Sequence, residues 1–147
     1  MIADLDAAIA GLYAAFAGRP RPARVEGCPC CVGDRAEAGL HRAPLRELTG
    51  DDLGRYSFKA MTTWGSVSDF AYFVPRLLEL AASGTRIDLE VVTEKLRYGH
   101  WRSWPAAEVA AIERFARTIE RAAQQDGFTL TEDGVRSALA SLSDSTS

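Results

Sequence analysis

All three cysteines of the chain lie within four positions, at Cys28, Cys30 and Cys31, and His41 follows ten residues later. A Cys-x-x-Cys pair such as Cys28 and Cys31 places two thiolates on one tight turn, which Pro29 stiffens. Thiolate and imidazole groups are the donors of tetrahedral zinc sites in proteins. The spacing therefore predicts a Zn²⁺ site that is formed by Cys28, Cys31 and His41.

A structural zinc ion takes four protein ligands, so a fourth group must join these three. Cys30 is the residue that we assign to this position. The remaining candidates are His100, Asp34, Glu37 and a water molecule. A water ligand would leave an open, catalytic position, and the spacing leaves the choice between a structural and a catalytic site open.

Three other interpretations of the cysteine cluster stay open. Cu⁺ is the main alternative to Zn²⁺, because Cys-x-Cys-Cys offers only soft donors at close range. Thiol redox chemistry would use Cys28 as the attacking thiolate and Cys31 as the resolving one, although no βαβ pattern surrounds them. In the third interpretation, the cysteines are small buried residues without a metal.

The composition limits the class of protein. The chain has 147 residues, 47% of them hydrophobic, which suits one domain with one core. Its 17 basic and 20 acidic residues give a net charge of -3, so we expect no nucleic-acid partner. No run approaches the roughly 18 apolar residues of a membrane span, and Asp4 and Asp6 stand where a signal peptide carries positive charge. We therefore expect a cytoplasmic protein without a membrane partner.

Helical periodicity accounts for most of the remaining chain. Apolar residues recur at spacings of three and four, which predicts helices at about 2–17, 49–63, 67–83, 89–98 and 105–126. Shorter helices are predicted from Pro44 to Leu48 and after Thr131. Gly54 weakens the helix in which it lies, and Pro75 makes the 67–83 segment either one kinked helix or two shorter ones. The expected N-caps are Thr49, Ser66 or Ser68, Asp88, and Ser103 or Trp104.

The expected fold is all-α: a single compact bundle of five to seven helices over residues 1–147. An external metal-binding loop is predicted at 25–42 and a frayed tail at 143–147. Residues 19–24, with two prolines and three arginines, are predicted to be a solvated connector. The tryptophans flank helix boundaries and are predicted to be corners of the core: Trp64, Trp101 and Trp104.

Two stripes of charged residues at helical spacing have more than one interpretation. A stripe on the 67–83 helix could line an acid/base site, although a solvated face with an internal ion pair is the more ordinary arrangement. Its members are Asp69, Tyr72, Arg76 and Glu79. A second stripe, on the 105–126 helix, mixes both signs and indicates a solvated face. Its members are Glu113, Arg114, Arg117, Glu120 and Arg121.

Two segments carry a resemblance to other proteins. The run Cys28-Pro29-Cys30-Cys31 and the run Phe73-Val74-Pro75-Arg76-Leu77-Leu78-Glu79-Leu80 resemble those of a set of small uncharacterised bacterial proteins. Those proteins carry a similar Cys-Pro-Cys-Cys loop and a similar Phe-x-Pro-Arg-Leu-Leu-Glu-Leu helix. The resemblance covers about residues 25–105 and implies that the loop and the Pro75 helix belong to one unit. It implies no activity.

Three functions follow from these residues, in order of preference. The first is a binding module in which a structural zinc ion shapes a loop for a protein partner. The second is a zinc-dependent hydrolase with an open metal position beside Asp34, Glu37 or Glu79. The third is thiol redox chemistry or metal trafficking at the cysteines. Whether the protein is an enzyme is thus left open, as are its partner and its oligomeric state.

Overall fold

The structure is a computed structural model that describes residues 2–27, 34–84 and 86–143. These residues form seven α-helices and two 3₁₀ turns, with isolated bridges but no strand, so the prediction of an all-α fold is confirmed. The helices are α1 (Ile2–Ala15), α2 (Asp34–Leu40), α3 (Gly50–Lys59), α4 (Val67–Ala82), α5 (Leu89–Tyr98), α6 (Ala106–Ala123) and α7 (Glu132–Ser143). The 3₁₀ turns are Leu45–Glu47 and Trp101–Ser103.

The helices pack mainly as two pairs, which are joined both by α4 and by the contact of α6 with α7. Helix α1 packs along α6, α5 packs along α7, and α4 contacts α1, α3 and α5. The short helix α2 packs on α3. Apolar side chains from these helices form one continuous buried cluster, whose fully buried members include Leu12, Leu53, Phe70, Val74, Leu77, Leu96, Ile112 and Ile119.

Helix starts agree with the sequence where a side chain caps the backbone. Thr49 and Ser66 each form a capping box with the aspartate three residues later, Asp52 and Asp69. Asp88 accepts a hydrogen bond from the first turn of α5. Helix α4 is continuous through Pro75, so the alternative of two shorter helices is wrong.

Two helix boundaries differ from the prediction. Helix α3 ends at Lys59 rather than near residue 63, because Met61 takes a left-handed backbone conformation with φ of 66°. Helix α6 begins at Ala106 after Pro105, and neither Ser103 nor Trp104 caps it. Ser103 instead donates its hydroxyl to the carbonyl of His100 within the preceding 3₁₀ turn.

Residues 19–24 are only partly the solvated connector that the sequence predicts. Arg19 donates two hydrogen bonds, of 2.8 and 2.7 Å, to the carboxylate of Glu108 at the start of α6. Its guanidinium also lies over the ring of Trp104. The prediction for the tryptophans is confirmed, since all three side chains are buried.

The cysteines lie outside the described residues. Residues 28–33 contain Cys28, Cys30 and Cys31, so the predicted metal-binding loop at 25–42 is described only on either side of this segment. Most of the tail predicted to fray at 143–147 also lies outside them. Over the described ranges, no helix combines the length and the hydropathy that crossing a membrane requires.

Candidate metal centre

The carboxylate of Glu37, on α2 just after the cysteine segment, accepts three hydrogen bonds. Its Oε2 accepts the backbone N–H of Val25 at 3.0 Å and lies 2.6 Å from Nε2 of His41. Its Oε1 accepts the indole N–H of Trp64 at 3.2 Å. Val25 precedes the cysteines and the helix carrying Glu37 follows them. One side chain therefore joins the two ends of this segment.

Trp64 reaches this carboxylate because α3 ends early. The left-handed residue Met61 turns the chain, and the next three N–H groups all donate to the carbonyl of Lys59. The indole N–H of Trp64 is shared between Glu37 and the carbonyl of Val25, with both distances 3.2 Å. A buried donor that finds two acceptors holds its ring in one orientation.

The backbone before the cysteines is also paired with the chain after α3. Gly65 donates its N–H to the carbonyl of Glu26 at 2.5 Å, and Gly27 forms an isolated antiparallel bridge with Trp64. Gly65 has a φ of +84°, and a Cβ atom there would lie 2.6 Å from Cγ1 of Val25. Glycine is therefore needed both for the conformation and for the close approach.

The charge of Glu37 follows from these contacts. Burial raises the pKa of Glu37, but the hydrogen bonds from Val25, His41 and Trp64 outweigh it, and the pKa falls below its ordinary value of 4.5. The side chain is therefore a carboxylate at neutral pH and only accepts hydrogen bonds. It follows that Nε2 of His41 carries the proton of this contact, and that the lone pair of the neutral ring is on Nδ1.

The predicted ligands are described in part. His41 and Glu37 lie together, as their spacing of four residues on one helical turn allows. The side chain of Asp34 lies outside the described residues, as do the cysteines. Within the described ranges, no three histidine, cysteine or acidic side chains converge as a metal site would need. The described residues thus include the neighbours of the predicted site but not all of its predicted ligands.

His100 lies elsewhere in the fold. It adopts a left-handed conformation with φ of 54° at the start of the 3₁₀ turn after α5. It lines an open groove of about 780 Å³ with Lys95, Tyr98 and Ser141, at the contact between α5 and α7. His100 therefore does not join His41 and Glu37 in one ligand group.

The polar stripe of α4 makes structural contacts. Asp69 accepts the N–H of Ser66 in the capping box at 3.0 Å. Arg76 pairs with Glu79 at 2.8 Å, and the hydroxyl of Tyr13 donates to the same oxygen of Glu79 at 2.6 Å. The interpretation of this stripe as an internal ion pair is confirmed.

Comparison of the chain with protein-family models, with curated proteins and with solved structures found no match. Its site must be interpreted from its own residues.

Sequence reasoning missed two members of this site. Val25 contributes only its backbone, and Trp64 is separated from Glu37 by 27 positions. The i, i+4 relation of Glu37 and His41 was readable from the sequence. By contrast, no local pattern marks a backbone amide or an indole as the partner of a distant carboxylate.

Proposed function

We propose that the protein is a zinc-binding helical module in which Cys28, Cys31 and His41, with Cys30 as the fourth ligand, hold a structural Zn²⁺. The observation that supports this proposal most is the contact of one Glu37 oxygen with both Val25 and His41. It fixes the imidazole beside the chain that leads into the cysteines.

Chain length supports the proposed ligand set. Cys28 is three residues after Val25, so its Cα lies within about 11 Å of that of Val25. Cys31 is likewise three residues before Asp34, the first residue of α2. The length of the chain therefore allows both thiolates to reach a side chain that shares a carboxylate with Val25.

The hydrogen bond between His41 and Glu37 suits a metal ligand. A metal-bound histidine commonly donates its other ring N–H to a carboxylate, which fixes the tautomer and makes the ligating nitrogen more basic. Here Nε2–H faces Glu37, so Nδ1 is the nitrogen that is suited to bind the ion. Glu37 would then position His41 and not itself bind the metal.

This assignment favours a structural site over a hydrolytic one. Glu37 is the acidic residue beside His41, and a hydrolase would use such a residue as the base that activates a zinc-bound water. Its two oxygens already accept hydrogen bonds from Val25, His41 and Trp64. A carboxylate held in this way positions its neighbours, and a loop shaped by the metal is then available to a protein partner.

The test is metal analysis of the full chain purified without added metal, followed by zinc-affinity measurement by competition with a chelator. We expect one zinc per wild-type chain, and loss of zinc in Cys28→Ser, Cys31→Ser and His41→Ala. His100→Ala is the matched histidine control and should keep its zinc. Glu37→Gln should weaken the affinity by about 10- to 100-fold, because it removes the positioning carboxylate.

Substitution of Co²⁺ for Zn²⁺ tests the ligand types, since thiolate ligands give sulfur-to-metal charge-transfer absorption whose intensity should fall in Cys30→Ser. Undiminished zinc in His41→Ala would remove that histidine from the site. A chain that binds no Zn²⁺ and forms a disulfide between Cys28 and Cys31 would overturn the proposal in favour of redox chemistry. Tighter binding of Cu⁺ in competition with Zn²⁺ would overturn it in favour of copper transport.

A further inference from the structure

Three arginines on α6 differ in their pairing from several arginines elsewhere in the described part of the chain. Ion pairs with carboxylates engage Arg19, Arg42, Arg76, Arg86, Arg102 and Arg136. Among the described residues, no carboxylate forms an ion pair with Arg114, Arg117 or Arg121, and all three are exposed. These three are called the α6 arginines below.

The spacing of the α6 arginines places them on one face. Arg117 is three residues after Arg114 and four before Arg121, so each neighbouring pair lies about one helical turn apart. Like charges at these spacings destabilise an isolated helix. Local costs of this kind occur at functional sites.

The acidic residues of the same helix lie on its α7 side. Glu113 pairs with Arg102, at 3.3 Å. Glu113 and Glu120 line a groove there, which Arg117 also lines. Arg117 therefore lies next to charges of both signs, as the sequence interpretation of a mixed face expects, whereas Arg114 and Arg121 do not line that groove.

The α6 arginines line a concave surface. With Asp4 of α1 and the buried Thr118 they enclose a groove of about 450 Å³ between α1 and α6. A Cβ atom at Gly11 would lie 3.5 Å from Nη1 of Arg114, so this guanidinium lies against α1. The hydroxyl of Thr118 donates to the carbonyl of Arg114 at 2.7 Å, which commits its proton within the helix.

We propose that this groove binds a small anion carrying phosphate groups. The planar guanidinium presents paired N–H donors that match phosphate oxygens, and three of them on one wall suit a multiply charged ligand. Small-molecule sites are concave, with volumes of about 300 to 1,000 Å³, whereas an acidic protein segment would need a longer, flatter stripe. Asp4 on the opposite wall favours a ligand that also carries a hydroxyl or amine donor.

The test uses the full chain and two probes, inorganic phosphate and pyrophosphate, in calorimetric titrations at constant ionic strength adjusted with sodium chloride. We expect pyrophosphate to bind more tightly than phosphate, because its two phosphoryl groups span more than one α6 arginine. Arg117→Gln should weaken pyrophosphate binding at least about tenfold, the loss of a charge-assisted hydrogen bond. Arg117→Lys should restore part of the affinity, because lysine keeps the positive charge but lacks the paired N–H donors of the guanidinium.

Arg86→Gln is the matched control, since Arg86 is an exposed arginine that pairs with Asp51 far along the chain from α6. It should bind pyrophosphate like the wild type. In phosphate-free buffer, Arg117→Gln should unfold at the same or a slightly higher temperature, because it relieves repulsion on α6. Equal pyrophosphate binding by Arg117→Gln and wild type would overturn the proposal. So would binding of a hexaglutamate peptide by the α6 arginines without binding of either phosphate probe.

Discussion

The hydrogen bonds of Glu37 make the stability of the protein depend on pH. Its pKa is lowered because the contacts with Val25, His41 and Trp64 favour the carboxylate over the acid, despite burial. A group whose pKa is depressed on folding contributes stability above its unfolded value, and that contribution is lost as the pH falls through its folded value. The pH range in which the protein loses this stabilisation therefore lies below about pH 4.5.

Glu37→Gln should reduce the free energy of unfolding by about 1–3 kcal/mol at pH 7, because an amide cannot accept all three hydrogen bonds. The stability difference between wild type and variant, from chemical denaturation at several pH values, should shrink as the pH falls below 4.5. Asp52, whose pKa is lowered chiefly by Arg42, adds a slope of the same sign, but this slope is common to both proteins and cancels in the difference. A difference that is constant from pH 7 to pH 3 would contradict this account of Glu37.

At the scale of single residues, the sequence identified Glu37 and His41 as candidates for one site but predicted none of the three hydrogen bonds of Glu37. Glu37 and His41 are four residues apart within one helical turn, so their proximity follows from helix geometry. Trp64 reaches the same carboxylate after Met61 turns the chain at the end of α3, and Val25 reaches it from the segment before the cysteines. A left-handed methionine has no local signal, since this conformation is disfavoured for a residue with a long side chain.

Among the helices and turns, two glycines are expected to respond to alanine in opposite directions. Gly65→Ala should destabilise the protein by about 2 kcal/mol or more, because it combines a left-handed conformation with a Cβ atom 2.6 Å from Cγ1 of Val25. Gly54 lies inside α3 with no atom within 4 Å of its added Cβ, and Gly54→Ala should stabilise the protein by about 0.5–1 kcal/mol. Thermal unfolding of both variants shows whether each substitution raises or lowers the stability of the protein.

The two variants distinguish the energetic cost of backbone conformation from that of a steric clash. If Gly65→Ala costs no more than the left-handed conformation alone, about 1 kcal/mol, the Val25 side chain does not obstruct a Cβ atom at position 65. Destabilisation by Gly54→Ala would show that α3 is constrained at that position by something other than helix propensity.

Helix starts were predicted better than helix ends, for a physical reason. A side-chain oxygen accepts a free N–H of the first turn in three of the helices, and the residues that supply it are Thr49, Ser66 and Asp88. The type of a single residue is therefore enough to predict where each of these helices starts. The end of α3 depends on tertiary packing, in which the buried Trp64 pairs with the segment before the cysteines. Pro75 is buried inside α4, which stays continuous through it, and the sequence pattern alone left two shorter helices as an alternative.

For the whole molecule, the ion pair of Arg19 and Glu108 ties the end of α1 to the start of α6. Glu108 is 5% exposed at its side chain, and both of its oxygens accept from the guanidinium. Arg19→Gln should cost about 3 kcal/mol of unfolding free energy, because it leaves a buried carboxylate without its cation. The matched control is Arg136→Gln, which breaks an exposed pair on α7 and should change the stability very little.

Denaturant titrations of the two variants give the comparison directly. Equal stability of Arg19→Gln and Arg136→Gln would mean that Glu108 is solvated or protonated once Arg19 is removed. In that case the pair would not hold α1 against α6.

The all-α class was predictable because apolar spacing of three and four is local, and the residues that carry it in α1, α5 and α6 are buried as expected. The packing of these helices was not predictable. The pairing of α1 with α6 includes the contact of Arg19 with Glu108, and the segment of Arg19 has the composition of a solvated linker. Likewise, the free charges of the α6 arginines become visible only when Glu113 is seen to pair with Arg102.

The contacts on either side of residues 28–33 also matter for protein engineering. Glu37, Trp64 and Gly65 hold Val25 and Glu26 before this six-residue stretch against the helix that follows it. The stretch can therefore be treated as an exchangeable cassette. Ligands for a lanthanide, or a short epitope, can be installed between fixed attachment points while the helical body keeps its own sequence.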